Sequence, residues 1–114
     1  IYLSIHSDAF TKESANGYSA YTSKGETKSD KIAEVFLDNM QINFPKRKLR
    51  KDTRDGDKDK EANFYVLKNT TCPAVLIENF FMTNFTECKL LLNPKFQDKI
   101  AFCHSESIKQ ISFI

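Results

Sequence analysis

No stretch of about eighteen consecutive apolar residues occurs in this 114-residue chain, so the sequence offers no membrane-spanning helix. The first residues also lack the basic start and small-residue cleavage site of a secretory signal. Cysteine is scarce and poorly spaced for a metal. Cys72, Cys88 and Cys103 form no C-x-x-C or C-x-H pattern, and an odd number cannot pair completely within one chain. Buried thiols are expected at all three, which leaves the redox compartment open. Nor does one sign of charge dominate: 17 Lys and Arg against 15 Asp and Glu give a net charge of +2, too little to imply a polyanionic partner. The one basic cluster, Lys46 to Lys51, is followed at once by Asp52, Asp55, Asp57, Asp59 and Glu61. Local charge nearly cancels there, so a solvated loop is expected and a nucleic-acid partner is not.

What is present suffices for one core. A hydrophobic content of 40% with 10 Phe suits a single domain over residues 1–114. Tyr2 to Ile5 reads as a core strand, and a loop from Thr11 to Thr27, rich in Ser, Thr, Asn and Gly, carries a short alternating piece at Tyr18 to Tyr21. Ser29 or Asp30 can cap a helix whose Ile32, Val35, Phe36 and Met40 form one stripe, ended by Pro45. Phe64 to Leu67 is β-rich, and Pro73 to Ile77 is the most apolar strand of the chain. Asn79 to Asn84 reads as a loop with enough apolar surface to line a pocket. A short helix follows over Thr86 to Leu92, and a second opens at Asn93-Pro94 with Phe96, Ile100, Cys103, Ser107, Ile108 and Ile111 on one face. Strands alternating with helices predict an α/β domain, a mixed or parallel central sheet flanked by helices, with ligands beyond the strand ends.

Two strands end on side chains able to do chemistry. Tyr2 to Ile5 runs into His6, and Pro73 to Ile77 runs into Glu78. Imidazole binds a metal and carboxylate moves a proton, so the pair at one sheet edge suits a metal-dependent hydrolase. Residue pattern alone leaves other readings open. A strand-end histidine can be satisfied by backbone or water, and a strand-end carboxylate by a lysine. His104, the other histidine, reads as an ordinary helical residue beside Cys103 rather than a ligand.

Four blocks then fall in one order: Ser4-Ile5-His6-Ser7-Asp8-Ala9, Ser29-Asp30-Lys31-Ile32-Ala33, Asn63-Phe64-Tyr65-Val66-Leu67, and Pro73 through Glu78 to Asn84, with Asn93-Pro94 to Ala101 as added support. Together they resemble the zinc-dependent N-acetylmuramoyl-L-alanine amidases of the amidase-3 type, which cut peptidoglycan between the lactyl group and the stem peptide. The resemblance implies a zinc-ligand role for His6 and the catalytic carboxylate for Glu78. It also implies two further zinc ligands, a histidine and a glutamate, at family positions that precede the Ser-Ile-His block. Neither position is present here, nor are the N-terminal strand and helix of the family fold, so the chain is expected to be either the C-terminal part of a larger catalytic domain or a fragment without activity. A second departure is Phe80, where the family usually has glycine.

The same resemblance implies a peptidoglycan substrate, a bacterial or phage source, and a location outside the cytoplasmic membrane, extracellular or periplasmic. Asp8 is a candidate to orient the His6 loop or accept from its ring, and Arg54 and Asn63 are candidates to contact a peptide carboxylate or a sugar. Two readings of other classes stand beside the enzyme. One is a non-catalytic wall-binding module that has lost the metal, and the other is a basic-loop binder of anionic polymers, whose binding would fall steeply with salt.

Overall fold

The computed structural model describes residues 1–23, 27–51, 60–61 and 64–112. In chain order the elements are β1 Tyr2–Asp8, β2 Ser19–Thr22, α1 Lys28–Asn43, β3 Lys60–Glu61, α2 Tyr65–Asn69, β4 Ala74–Phe81, α3 Phe85–Leu91 and α4 Pro94–Ile111. The four strands form one mixed sheet in the order β1-β4-β2-β3. β4 runs parallel to β1 and antiparallel to β2, and β3 lies parallel to β2. This is the expected α/β architecture, with β4, the most apolar strand, in the interior of the sheet.

Alternation along β4 divides the core. Val75 and Ile77 point to the side covered by α1 and α4, where Ile32, Ala33, Phe36, Leu37, Met40 and Cys103 complete the main cluster. Ala74 and Leu76 point to the opposite side, where Leu67 of α2 covers them. At the start of α1 the cap is Thr27 rather than Ser29 or Asp30. The Thr27 hydroxyl accepts from the Ser29 N–H at 3.2 Å, and Asp30 reaches back to accept from the Thr27 N–H at 2.8 Å. Asp30 also accepts from the Thr22 hydroxyl at 2.8 Å, which ties the helix start to the end of β2.

Three expectations are corrected. Phe64 caps α2 and Tyr65 to Leu67 begin it, so Phe64 to Leu67 is not a strand. One helical turn brings Phe64 onto the Tyr21 ring, with centroids 5.2 Å apart, and Leu67 onto Ala74 and Leu76, while Tyr65 is left 83% exposed. That i, i+3 geometry covers the sheet with one turn, and packing overrides β propensity. Secondly, the segment after Glu78 is not yet a loop, because β4 continues to Phe81. Phe80 and Phe81 are buried in the protein interior, and Asn79 lines a cavity together with His6 and His104. Thirdly, buried thiols hold only for Cys103; Cys72 is exposed and Cys88 partly so.

The basic stretch is also less solvated at its centre than its charge suggests. The Tyr18 N–H donates to the Lys48 carbonyl at 2.9 Å and the Arg50 N–H to the Tyr18 carbonyl at 2.8 Å, while Leu49 packs against the main core. Gly17 makes this approach possible. Its φ is +107°, and a Cβ there would stand 2.3 Å from the Lys48 oxygen. No helix among the described residues is long and apolar enough to cross a membrane.

Candidate active site

His6 and Glu78 are register partners on the parallel strands β1 and β4. They therefore share a face of the sheet on strands about 4.8 Å apart. On the other side of Glu78 the antiparallel partner is Ser19 of β2, and two residues along, Tyr21 sits beside Leu76 on the same face. His6 and Glu78 meet because β4 is the neighbour of β1 in the sheet.

The His6 ring is exposed, and its Nε2 lies 2.8 Å from the Ser4 hydroxyl, two residues back on the same face of β1. Glu78 is half-buried, and its Oε2 is a buried atom with no hydrogen-bond partner among the described residues. Burial pushes the Glu78 carboxyl up from 4.5 to about 7, the nearby Asp8 carboxylate pushes the same way, and Lys60 offsets part of it. The group is thus poised between holding and releasing a proton at neutral pH. Tyr21 also belongs to this environment. Its hydroxyl is shifted upward first by burial and then by the Asp8 and Glu78 carboxylates, and the Lys60 ammonium lies 5.4 Å from the centre of its ring.

Asp8 is close enough to act on Glu78, but its own hydrogen bond is local: its Oδ1 accepts from the Ala9 N–H at 2.8 Å. The ring partner of His6 is Ser4. Arg54 and Asn63 lie outside the described residues. Among the described residues no group of three His, Cys, Asp or Glu side chains is arranged so that it could hold a metal ion. His6 is a suitable imidazole donor on an open face, yet one imidazole falls short of the three protein ligands a catalytic zinc needs. The donors present fit part of such a site.

Glu87 was not singled out by its sequence context. It is 1% exposed, accepts from the Gly17 N–H at 3.0 Å and from the Phe81 N–H at 2.9 Å, and has Arg47 at 3.8 Å. Its carboxylate joins the entry to β2 to the end of β4 and so fixes the two segments that flank the site. Asn84, three residues earlier, caps α3 by accepting from the Glu87 N–H at 3.1 Å, but the reach of Glu87 back to Gly17 is purely tertiary.

A family profile described as N-acetylmuramoyl-L-alanine amidase matches residues 1–110. The chain belongs to the amidase-3 family. The germination-specific N-acetylmuramoyl-L-alanine amidase of Bacillus subtilis is 31% identical over 101 residues, covering 89% of this chain and 40% of that protein. The LytC amidase of the same organism is 36% identical over 103 residues, covering 89% of this chain and 19% of its own length. Among solved structures, the CwlD amidase from Clostridioides difficile, determined in complex with the GerS lipoprotein, superposes with a TM-score of 0.84 at 27% identity over 98% of this chain and 54% of that one. The chain therefore spans about half or less of the length of these amidase-3 relatives.

Proposed function

We propose that these residues are the part of an N-acetylmuramoyl-L-alanine amidase catalytic domain that carries its general base, Glu78, and one zinc ligand, His6. The other ligands are contributed from outside the 114 residues. The observation that carries this reading is the half-buried Glu78, with an unpartnered oxygen and a carboxyl shifted to about 7, one strand away from an exposed imidazole. The family membership supports it.

Zinc, when bound, makes water acidic near neutral pH and polarises an amide carbonyl. Glu78 takes the proton as water attacks the carbonyl of the bond joining N-acetylmuramic acid to L-alanine. It then delivers that proton to the departing amine. A carboxyl near 7 serves both halves, because its two protonation states are similarly populated at neutral pH. Asp8 helps hold Glu78 in that range by charge and shapes the turn after β1 through Ala9. Arg54 and Asn63 are proposed contacts for a peptide carboxylate or a sugar. The substrate places the working protein outside the cytoplasmic membrane, at the cell wall.

The test is muropeptide release together with zinc content in the complete protein. Glu78→Gln is expected to keep zinc and abolish hydrolysis, and His6→Ala to lower both. Turnover retained in Glu78→Gln would remove the base assignment. A metal-free complete protein that still binds peptidoglycan would replace the enzyme with a wall-binding module.

A further inference from the structure

The end of β1 that presents His6 is not a regular strand end. From His6 to Asp8 the chain advances two residues, while its partner advances three, from Glu78 to Phe81. The extra residue is accommodated at Phe80, whose φ is +66°. At this slip the His6 backbone carbonyl accepts from the side-chain Nδ2 of Asn79 at 3.0 Å. The same nitrogen lies 3.4 Å from the Ile77 carbonyl, and Asn79 Oδ1 lies 2.7 Å from Nε2 of His104 on α4. Asn79 is 3% exposed and His104 4%.

The chemistry fixes every orientation in this chain. Two carbonyls face one end of the Asn79 amide, so that end is the NH2 group and the other is the oxygen. An amide oxygen accepts, so His104 donates from Nε2. Its Nδ1 is then a buried acceptor, and it has no hydrogen-bond partner among the described residues. Burial lowers the His104 ring to about 4, which keeps it neutral at pH 7. Among the aliphatic and aromatic residues of the core, with the Phe36 ring 5.6 Å from it, a neutral imidazole with one unsatisfied nitrogen is a poor packing choice. An apolar side chain of similar volume would remove that penalty but leave the buried Asn79 oxygen without its donor. What the imidazole supplies is a donor that holds the Asn79 amide in one orientation.

We propose that His104 and Asn79 are positioning residues for His6: His104 orients the Asn79 amide, and Asn79 clamps the His6 carbonyl at the bulge so that the imidazole stands beside Glu78. The proposal rests on the reading of His6 as a zinc ligand, and it extends the support of that ligand from its ring to its backbone. Groups behind metal ligands commonly change metal affinity by tenfold or more when removed.

The experiment compares His104→Leu, His104→Gln and Asn79→Leu with the parent in the complete protein. Zinc affinity is read by competition with a chromophoric chelator, and the His6 ring by NMR of 13C-labelled histidine in the zinc-free protein. His104→Leu and Asn79→Leu are expected to weaken zinc about tenfold or more and to move the His6 resonance. His104→Gln, whose amide nitrogen can replace Nε2, is expected to restore both. Zinc affinity within twofold of the parent in both leucine variants, or a loss that glutamine does not rescue, would overturn the proposal. A parent that binds no zinc but whose His6 signal still moves in His104→Leu would retain the positioning and refute the metal reading.

Discussion

Phe80 sets two opposing terms against each other, and their balance can be measured by comparing Phe80→Gly with Phe80→Ala. The backbone φ of +66° lies in the left-handed region, which disfavours a non-glycine residue by about 1–2 kcal/mol. Against this, the Phe80 ring is wholly buried and lies 5.8, 5.3 and 5.2 Å from the centroids of Tyr18, Phe44 and Phe96. Truncating a buried phenylalanine costs about 3–5 kcal/mol. Phe80→Ala loses the ring and keeps the strain, so it is expected to destabilise by the full amount. Phe80→Gly loses the same ring, relieves the strain, and concedes about 0.5–1 kcal/mol to the greater freedom of glycine in the unfolded chain. It should therefore be destabilised less than the alanine variant, by about 0.75 kcal/mol at the middle of a range of about 0–1.5 kcal/mol on the same constants. Urea unfolding with a shared m value resolves this order. An alanine variant as stable as the glycine variant would refute the strain argument, and a glycine variant as stable as the parent would refute the claim that the ring outweighs it.

Two further predictions concern the carboxylates. Glu87→Ala leaves the Gly17 and Phe81 N–H groups buried without their acceptor, and at about 1–3 kcal/mol for each orphaned donor the loss is expected to be about 2–6 kcal/mol by denaturant titration. A loss below about 1 kcal/mol would show that water replaces the carboxylate. For Glu78 the folded-state value of about 7 lies above the ordinary 4.5. Its contribution to stability is thus fully present below 4.5 and is lost as the pH rises through 7. Urea midpoints between those limits should fall less steeply with pH in Glu78→Gln than in the parent, and parallel profiles would contradict the shifted carboxyl.

Which parts of this were legible in the chain follows from the range of the interactions. The apolar stripe of Ile32, Phe36 and Met40, the Asn93-Pro94 helix start and the apolar run Pro73 to Ile77 are local patterns, and the structure contains each element they predicted. His6 and Glu78 were visible as polar side chains closing apolar strands, and the ordered blocks around them indicated the family. The cap of α1 at Thr27 was misplaced by two or three residues because Thr27, Ser29 and Asp30 all have capping chemistry, and only the reciprocal bond from Asp30 to Thr27 decides among them.

Local pattern failed where a residue's partner is distant in the chain. Phe64 to Leu67 has strand propensity, yet it forms a helical turn because Tyr21, Ala74 and Leu76 present a surface that one turn covers. Glu87 looks like any acidic residue in the first turn of a helix until Gly17 and Phe81 are brought to it. His104 likewise reads as one more residue on a helix, and its role depends on Asn79 arriving from β4. The sequence by itself determined the α/β class, the two strand-end groups and the family, because these rest on periodicity and on residues close in the chain. The tertiary structure alone decided that His6 and Glu78 are register partners, that burial and Asp8 raise the Glu78 carboxyl, and that a bulge at Phe80 with a side-chain clamp sets the end of β1. Each of those depends on strands separated by about seventy residues meeting in one register, and no local pattern encodes that meeting.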